Sequence, residues 1–346
     1  MDTRGMKIGI LTAGGDCPGL NAAIRGVGKT AMLKYGMRLF GFSSGFTGLI
    51  HNDYVELSED QLSGILTVGG TILGTSREKP YKKSRHKDGA KVLNKPEKII
   101  KNYKNLELDC LVCIGGNGTQ KTAHLLAEEG LNIIGIPKTI DNDVWGTDIS
   151  FGFDSAFTIA TEAIDRLHST ANSHNRTMVI EVMGHRTGWL ALYSGLAAGG
   201  DLILIPEIPF KEENIINFLV KRHALKKNYA IIVVAEGISP DKDVSAAKYI
   251  SKVIKEGAGF ESRDTILGYV QRGGTPTPFD RILATRYGAK AAEMIAQGDF
   301  GKMVALCGRD LVGIPISEAG SKTRLVDPES PIVNKARNLG TSFGDS

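Results

Sequence analysis

The chain has 346 residues, which is enough for two domains of ordinary size or one large one. Hydrophobic residues make up 42% and charged residues 23% of the sequence, as in a typical globular protein. A net charge of +4 is too small to favour nucleic acid as a partner. No apolar run approaches the roughly 18 residues of a membrane helix, and the N-terminus lacks the apolar core of a signal peptide. We therefore expect a cytoplasmic protein that binds neither nucleic acid nor membrane.

Apolar runs that alternate with helical spacing recur along the chain. Strands that alternate with helices predict parallel sheets built from β-α-β units, with ligands bound beyond the carboxyl ends of the strands. The spacing also predicts a long helix over residues 150–170, with Asp154 or Ser155 as its N-cap. The predicted strands lie at residues 7–15, 109–116, 132–137, 176–184, 201–206, 229–237 and 303–308.

Cysteine and glycine usage adds two expectations. Cys110 and Cys113 form a C-x-x-C inside a predicted strand, where side chains three apart point to opposite faces. We interpret both as core residues rather than as a redox pair or a metal site. The 42 glycines cluster where predicted strands end, which predicts tight turns and close approach of the backbone to ligands.

The first predicted strand, its turn and the next helix read GILTAGGDCPGLNAAIRG. Free backbone N–H groups and the helix dipole suit a phosphate at such a junction. We predict a phosphate site at Gly14 and Gly15, with a merely tight strand–helix turn as the alternative. The stretch is not a Walker A loop, because Ala23 stands at the first required glycine. A weaker motif of the same kind is GGNGT at 115–119, where Thr119 or Gln120 would open the next helix.

Two further polar clusters follow predicted strands, and a third cluster lies in QRGGTPTPFDR at 271–281. IPKTIDND at 136–143 places a cation, a hydroxyl, two carboxylates and an amide within six residues, which is more than turn chemistry requires. MGHRTGW at 183–189 places His185 and Arg186 where ligands bind in such sheets, although a lone histidine is often structural. Arg272, in QRGGTPTPFDR, is either a phosphate ligand or a surface arginine.

Together and in this order, the motifs resemble those of the phosphofructokinase family over residues 7 to about 290. The resemblance implies two similar α/β domains, each a mainly parallel sheet flanked by helices, with the active site in the cleft between them. Residues 1–150 with about 271–315 would bind the phosphoryl donor, and 151–270 with about 316–346 the sugar phosphate. The matching stretches are GGDCPGLNAAIRG, GGTILGTSR, GGNGT, PKTIDND, NRTMVIEVMG, AEG and LGYVQRGGTPTPFDRILATRYG.

The activity implied by the resemblance is phosphorylation of the 1-hydroxyl of fructose 6-phosphate in glycolysis. Asp141 matches the carboxylate that accepts the hydroxyl proton, and Thr139 is similar to the residue that holds the transferred group. Asp143 resembles the carboxylate that supports the base and the metal, and Arg77 matches an arginine on the donor phosphates. The implied donor-binding residues are Gly14, Gly15, Arg77, Gly116, Asn117, Gly118, Thr119 and Lys138.

For the sugar phosphate, the resemblance implies Arg176, Arg263 and Arg272, since the planar fork of arginine suits phosphate oxygens. The first two would come from a neighbouring subunit of a homodimer or homotetramer. The remaining implied sugar contacts are Thr139, Ile140, Asp141, Met183, Gly184, His185, Glu236 and Tyr269.

The chain departs from the usual family pattern at three of these positions. His185 stands where arginine is usual, with Arg186 next, and either could face the substrate. Tyr269 stands where many members have histidine. Asn117 replaces a frequent aspartate near Mg²⁺, for which an amide oxygen is a weaker ligand, and Asp143 is the second implied metal ligand.

The phosphoryl donor depends on two positions. Pyrophosphate users usually carry an aspartate where this chain has Gly118, and the missing side chain leaves space for the α-phosphate of ATP. Lys138 is common in pyrophosphate users and points the other way. We predict ATP, with pyrophosphate as the alternative donor and an inactive sugar-phosphate or nucleotide sensor as a lesser alternative. GGNGT alone is also similar to a motif of NAD kinases and lipid kinases, where TIDND with QRGG is not expected.

Overall fold

A computed structural model describes residues 3–82, 94–241 and 243–346 of the protein. The chain divides into two compact units, and it leaves the first unit for four residues before returning to it. Unit 1 comprises Met1–Thr139, Val144–Gly152 and Arg272–Thr323. Unit 2 comprises Ile140–Asp143, Phe153–Gln271 and Arg324–Ser346.

Strands and helices alternate along most of the described chain. The strands in the described ranges are β1 (Lys7–Ala13), β2 (Arg38–Phe42), β3 (Tyr54–Leu57), β4 (Cys110–Gly115), β5 (Ile133–Pro137), β6 (Thr177–Val182), β7 (Leu202–Leu204), β8 (Ala230–Ala235), β9 (Ser262–Ile266), β10 (Lys302–Cys307) and β11 (Asp310–Pro315). The α-helices in the same ranges are α1 (Leu20–Tyr35), α2 (Phe46–His51), α3 (Lys95–Asn105), α4 (Asn117–Glu128), α5 (Phe153–His174), α6 (Trp189–Ala197), α7 (Glu212–Ala224), α8 (Ala246–Ala258), α9 (Pro278–Ala296) and α10 (Pro331–Asn338).

Unit 1 is built on a seven-stranded sheet in the order β11-β10-β5-β4-β1-β2-β3. The five inner strands run parallel, and the two edge strands pair antiparallel with their neighbours. Helices α1 and α9 pack closely because glycines stand at their contact. A Cβ atom on Gly26 would lie 2.6 Å from the carbonyl oxygen of Thr285, and one on Gly288 would meet the carbonyl oxygen of Ala23. No bulkier residue fits at either position without a shift of backbone.

Unit 2 is built on a four-stranded, wholly parallel sheet in the order β7-β8-β6-β9. Its inner strands β6 and β8 are buried along their whole length, as expected for a sheet covered on both faces. The C-terminal segment joins this unit: Ser342 exchanges backbone hydrogen bonds with Asp201 (3.0 Å) and Ile203 (2.9 Å), and Phe343 is fully buried.

All seven strands predicted from apolar runs are confirmed, with ends shifted by up to two residues. The sequence reading missed β2, β3, β9 and β11. Three of these, β3, β9 and β11, are largely exposed, so their sequences lack a continuous apolar run. No helix in the described part of the chain is long and apolar enough to cross a membrane.

Two predicted helix starts are wrong. Helix α5 begins at Phe153, so Asp154 and Ser155 lie in its first turn rather than at its N-cap. Helix α4 begins at Asn117, two residues before Thr119. A glycine in a non-helical conformation directly precedes each helix, Gly152 (φ 96°) before α5 and the extended Gly116 before α4.

The interpretation of the cysteines as core residues is confirmed for Cys110 and Cys113, which are both fully buried. Cys113 joins the apolar cluster around Leu111, and Cys110 lies on the other face of β4. Burial raises the pKa of both thiols and raises that of Cys17 to about 12. Cys307 is exposed.

We expect one thiol per folded chain to react promptly with an aromatic disulfide reagent at about pH 8, because the thiolate is the reactive form and burial suppresses it. After denaturation all four should react, and Cys307→Ser should leave the folded chain without a fast thiol. Fast reaction of a second thiol in that variant would show that Cys17, Cys110 or Cys113 is accessible.

Candidate active site

The carboxyl ends of three central strands of unit 1 lie side by side. β1 and β5 both pair in parallel with β4, and the register aligns Ala13 with Gly115 and Gly115 with Pro137. The chain segments that follow these residues therefore emerge at the same edge of the sheet, where α/β proteins bind ligands. These segments are the Gly14–Gly15 turn, the GGNGT stretch and the beginning of KTIDND.

The Gly14 turn is fastened to the loop that carries Arg77. Gly14 has a φ of 88°, a left-handed conformation that favours glycine. Its N–H donates to the carbonyl oxygen of Ser76 (2.9 Å), and its carbonyl accepts from Thr75 Oγ1 (2.7 Å). Arg77 follows directly and its side chain is exposed. The structure thus places Arg77 next to the predicted phosphate turn.

Two cationic side chains bind the carbonyls of the same turn. Lys138 is 3% exposed, and its Nζ donates to the carbonyl oxygen of Gly15. Arg272 Nη1 donates to the carbonyl oxygen of Asp16 at 3.0 Å. A Cβ atom on Gly15 would lie 2.6 Å from Arg272 Nη1, so a side chain at this position would displace the Arg272 guanidinium. Arg272 is therefore not a free surface side chain, and the two cations share one end of unit 1.

The GGNGT stretch forms the start of helix α4 with exposed backbone polarity. Gly116 precedes the helix in an extended conformation, and among the described residues no side chain caps the first turn. Such a helix start favours anions through its N–H groups and dipole. A Cβ atom on Gly118 would have no heavy atom within 4 Å. The position is therefore open, and a side chain there would project into free space.

Thr119 and Gln120 tie this helix start to the neighbouring strands. Both are buried. Thr119 Oγ1 donates to the carbonyl oxygen of Ala13 (3.3 Å). Gln120 Nε2 donates to the carbonyl oxygens of Gly115 (2.9 Å) and Ile136 (3.0 Å). Thr119 therefore binds a backbone carbonyl. Gln120, which the sequence suggested only as a helix start, holds the ends of β4 and β5 together.

The predicted catalytic cluster is divided between the units. Thr139 belongs to unit 1, where its carbonyl oxygen accepts from Ser150 Oγ at 3.0 Å. Ile140–Asp143 belongs to unit 2 and forms the acidic loop, named for Asp141 and Asp143. Asp143 is 8% exposed, and Asp141 is half-buried.

The backbone of the acidic loop is held at three successive carbonyls. Asn142 has a φ of 52°, a left-handed conformation that asparagine tolerates better than most residues. The donors come from the start of α6 and from the C-terminal segment of unit 2. The bonds are Thr187 Oγ1 to Asp141 O (3.3 Å), Arg324 Nη1 to Asn142 O (3.1 Å) and Arg324 N to Asp143 O (2.9 Å).

Glu236 binds the turn that follows β6. Glu236 directly follows β8, and its Oε1 accepts from the backbone N–H groups of Gly184 (3.2 Å) and His185 (2.7 Å). Gly184 has a φ of 141°, and a Cβ atom there would lie 2.5 Å from the carbonyl oxygen of Thr187. The imidazole of His185 and the guanidinium of Arg186 are both exposed. Glu236 therefore shapes this turn, and His185 and Arg186 both remain candidates to face the substrate.

Met183 and Tyr269 lie at this same edge of the unit 2 sheet. Gln271 is fully buried, its Oε1 accepts from the Met183 N–H (3.4 Å), and its Nε2 donates to Gly268 O (3.0 Å). It joins the end of β6 to the short 3₁₀ turn after β9. Tyr269 lies in that turn, and its side chain is 74% exposed.

Arg176 and Arg263 lie at the opposite edge of the unit 2 sheet. Arg176 precedes β6 and Arg263 lies near the start of β9. Both pair with Glu261, at 3.0 Å from Arg176 Nε and 2.6 Å from Arg263 Nη2. The hydrogen bond from Arg176 lowers the pKa of the Glu261 carboxyl. The six residues of β6 span about 20 Å, which separates these arginines from Gly184 in the same chain.

Several residues that position the predicted groups were missed from the sequence. Gln120 and Gln271 are buried amides, and buried polar side chains must find partners. The position of Gln120 shortly after the buried strand β4 was a usable signal. Glu261 lies two residues before Arg263, and this spacing was also visible. Thr187 and Arg324 gave no sequence signal, since Arg324 lies 182 residues from its partner Asn142.

Comparisons with known proteins identify the family to which the chain belongs. A sequence model of the family described as Phosphofructokinase matches residues 7–295. The chain is 57% identical over 341 residues to ATP-dependent 6-phosphofructokinase 3 of Bacteroides thetaiotaomicron, covering 98% of this chain and 100% of that protein. It is 55% identical over 355 residues to ATP-dependent 6-phosphofructokinase of Spirochaeta thermophila, covering 97% of each. The chain therefore belongs to the phosphofructokinase family.

Two further matches add detail. A Streptomyces coelicolor protein named pyrophosphate–fructose 6-phosphate 1-phosphotransferase is 47% identical over 342 residues, covering 93% of this chain and 97% of that protein. The structure of phosphofructokinase from Saccharomyces cerevisiae matches with a TM-score of 0.81 and 29% identity. That match covers 98% of this chain and 47% of the yeast chain, so this protein spans about half the yeast chain's length.

Proposed function

We propose that the protein is a cytoplasmic 6-phosphofructokinase, which transfers a phosphoryl group from Mg-ATP to the 1-hydroxyl of fructose 6-phosphate in glycolysis. The observation that carries the proposal is the acidic loop, whose backbone is held at three carbonyls in a chain of this family. The relatives from Bacteroides thetaiotaomicron and Spirochaeta thermophila, at 57% and 55% identity, bear the name ATP-dependent 6-phosphofructokinase. The four cysteines form no disulfide, which suits a reducing compartment.

We assign donor binding to unit 1 and sugar-phosphate binding to unit 2. The support in unit 1 is the common edge that carries Gly14, the start of α4 and Lys138. The support in unit 2 is the edge that carries the Gly184 turn and Glu236. Each edge is the carboxyl edge of a parallel sheet, where ligands bind in this class of fold.

The proposed reaction depends mainly on the positions of the reacting groups and on stabilisation of the charge that develops on the phosphates. The Asp141 carboxylate accepts the proton of the sugar 1-hydroxyl while that oxygen attacks the terminal phosphorus of the donor and the bond to the leaving phosphate breaks. Thr139 holds the phosphoryl group while it is transferred. Arg77 and the start of α4 bind the donor phosphates and offset the negative charge that develops on them. Asp143 supports the base.

Magnesium is part of the proposal through Asn117 and Asp143. An amide and a carboxylate oxygen are both suitable ligands for this hard cation, which supports the assignment. They supply only two of about six ligands, so donor phosphates and water would supply the others. When bound, the ion would neutralise charge on the donor phosphates.

We also propose that each site is completed by a neighbouring copy of the chain. Arg176 and Arg263 lie at the amino edge of the unit 2 sheet, whereas the Gly184 turn and Glu236 lie at the carboxyl edge. One chain therefore does not offer all four to a single sugar phosphate. A homodimer or homotetramer removes this difficulty, because Arg176 and Arg263 of one copy would bind the sugar phosphate in the site of another copy.

Pyrophosphate is the second candidate donor, because one close relative bears the name of a pyrophosphate enzyme. The open space beside Gly118 supports ATP. Lys138 gives weaker support to pyrophosphate, since its ammonium group already binds the carbonyl of Gly15. A coupled assay with fructose 6-phosphate and either ATP or pyrophosphate tests the proposed function directly.

Asp141→Ser should fold normally, bind fructose 6-phosphate and lose turnover by roughly 10²–10⁴, the usual contribution of a positioned general base. Steady-state kinetics at saturating substrates measure the loss. Asp60→Ser, which removes an exposed carboxylate, is the matched control and should behave as wild type. Retention of more than about half the wild-type turnover in Asp141→Ser would remove this residue from the role of base.

Arg176→Ala and Arg263→Ala should each raise the KM for fructose 6-phosphate far more than they lower kcat, because both would bind a phosphate that does not react. Arg38→Ala, which removes another exposed ion pair, with Glu56, is the control. Mixing Asp141→Ser with Arg176→Ala chains should restore part of the activity in hybrid oligomers. Loss of kcat at unchanged KM, or no recovery after proven subunit exchange, would contradict the assignment.

Gly118→Asp should keep the fold, since the added side chain meets open space and a carboxylate suits the start of a helix. It should lower kcat/KM for Mg-ATP by roughly 10²–10³, because about 3–4 kcal/mol of clash and like-charge repulsion would act on the α-phosphate. Gly118→Ala and Gly118→Asn separate bulk from charge. Unchanged use of ATP in Gly118→Asp, or a wild type that prefers pyrophosphate, would refute Gly118 as the determinant of the donor.

A further inference from the structure

The acidic loop needs support from outside its own four residues. Asn142 holds a left-handed φ of 52°, which costs conformational energy in any residue except glycine. The loop also lacks the regular backbone hydrogen bonds of a helix or strand. A carboxylate on such a loop keeps a fixed position only if other groups hold the loop backbone.

Arg324 supplies two of the three bonds that do this. Its Nη1 donates to the carbonyl oxygen of Asn142 at 3.1 Å, and its backbone N–H donates to the carbonyl oxygen of Asp143 at 2.9 Å. The side chain and the main chain of one residue thus hold adjacent peptide groups. This double attachment fixes the orientation of the loop as well as its distance from the C-terminal segment.

Arg324 is itself held by rigid parts of unit 2. Its guanidinium lies 4.1 Å from the centre of the Trp189 ring, and Trp189 Nε1 donates to the carbonyl oxygen of Arg324 at 2.9 Å. Trp189 is the first residue of α6 and is 7% exposed. Two residues later, the Val326 N–H donates to Glu207 Oε1 (3.0 Å), which also accepts from the Gly188 N–H (3.0 Å).

These contacts connect the acidic loop to a helix start through one arginine. Thr187 donates to the loop and lies two residues before Trp189, so both ends of the support come from the same turn. A planar guanidinium suits this place because it stacks on an aromatic ring and keeps its N–H groups in plane for the carbonyl. Lysine has neither property.

We propose that Arg324 is a positioning residue that holds the acidic loop so that the Asp141 carboxylate is presented to its substrate. The inference rests on the proposed function and adds to it a residue from the C-terminal segment. Arg324 acts through the backbone of Asn142 and Asp143 and does not itself take part in the proton transfer. Its loss should therefore affect turnover more than substrate binding.

Arg324→Ala and Arg324→Lys test the proposal in the complete protein. We expect kcat to fall by about 10²-fold, the usual effect of displacing a catalytic group by about 1 Å, while the KM values for fructose 6-phosphate and ATP change less than about threefold. The lysine variant should recover little of the loss. Added guanidinium ion should restore part of the activity of Arg324→Ala.

Arg337→Ala is the matched control. Arg337 also lies in the C-terminal segment, pairs with Asp345 at 2.7 Å and lies 4.9 Å from the centre of the Phe343 ring, so its ion pair and ring contact are to this segment itself. It should lower the melting temperature and leave kcat unchanged when assayed well below that temperature. The comparison separates general support of the C-terminal segment from support of the acidic loop.

Trp189→Phe keeps a ring beside the guanidinium and loses the hydrogen bond to Arg324 O, so it serves if the Arg324 variants fail to fold. It should lower kcat by a smaller factor at unchanged KM. Wild-type kcat in folded Arg324→Ala or Trp189→Phe, or an equal loss in Arg337→Ala, would overturn the proposal. An inactive wild type would instead refute the proposed function, so the two failures are distinguishable.

Discussion

Parallel pairing of strands is the constraint on which the rest of the structure depends. In a parallel sheet every strand ends at the same edge, so segments far apart in sequence emerge as neighbours. In unit 1 this places the Gly14 turn, the start of α4 and Lys138 together. In unit 2 it places the Gly184 turn beside Glu236 at the carboxyl edge, whereas Arg176 lies at the amino edge. Parallel pairing therefore brings some of the predicted site residues together and keeps others, such as Arg176, away from them.

Side chains that bind backbone hold these edges in shape. Lys138, Glu236 and Arg324 are charged, yet each has a hydrogen bond to a carbonyl or an N–H of a neighbouring turn. Charge-assisted bonds of this kind are stronger than neutral ones, and they orient turns that lack regular secondary structure. A charged residue at the edge of a sheet is therefore not necessarily a ligand-binding group. Glu236, expected to contact a sugar hydroxyl, already accepts two backbone hydrogen bonds.

The separation within unit 2 gives the proposed oligomer a physical reason. Arg176 and Arg263 share Glu261 as a counter-ion at the amino edge, about one strand length from the Gly184 turn. A second copy of the chain can bring its Arg176 and Arg263 to a phosphate bound at the first copy, which the first copy's own arginines do not reach. The proposed basis for donor choice is much smaller, because it rests mainly on the open position of Gly118 at the start of α4. Relatives with names for both donors are consistent with so small a difference.

The sequence by itself determined the parallel-sheet architecture, because buried strands are continuous apolar runs and the polar clusters directly follow them. It also determined the family, because TIDND and QRGG are local motifs that need no contacts to be read. Only the tertiary structure decided which side chains form hydrogen bonds to the backbone of those motifs and so fix their conformation. The Arg324 bond to Asn142 O joins residues 182 apart, and the exposed edge strands β3 and β11 have no apolar signature. Long-range hydrogen bonds to backbone leave no periodic pattern in sequence, since any residue supplies the carbonyl.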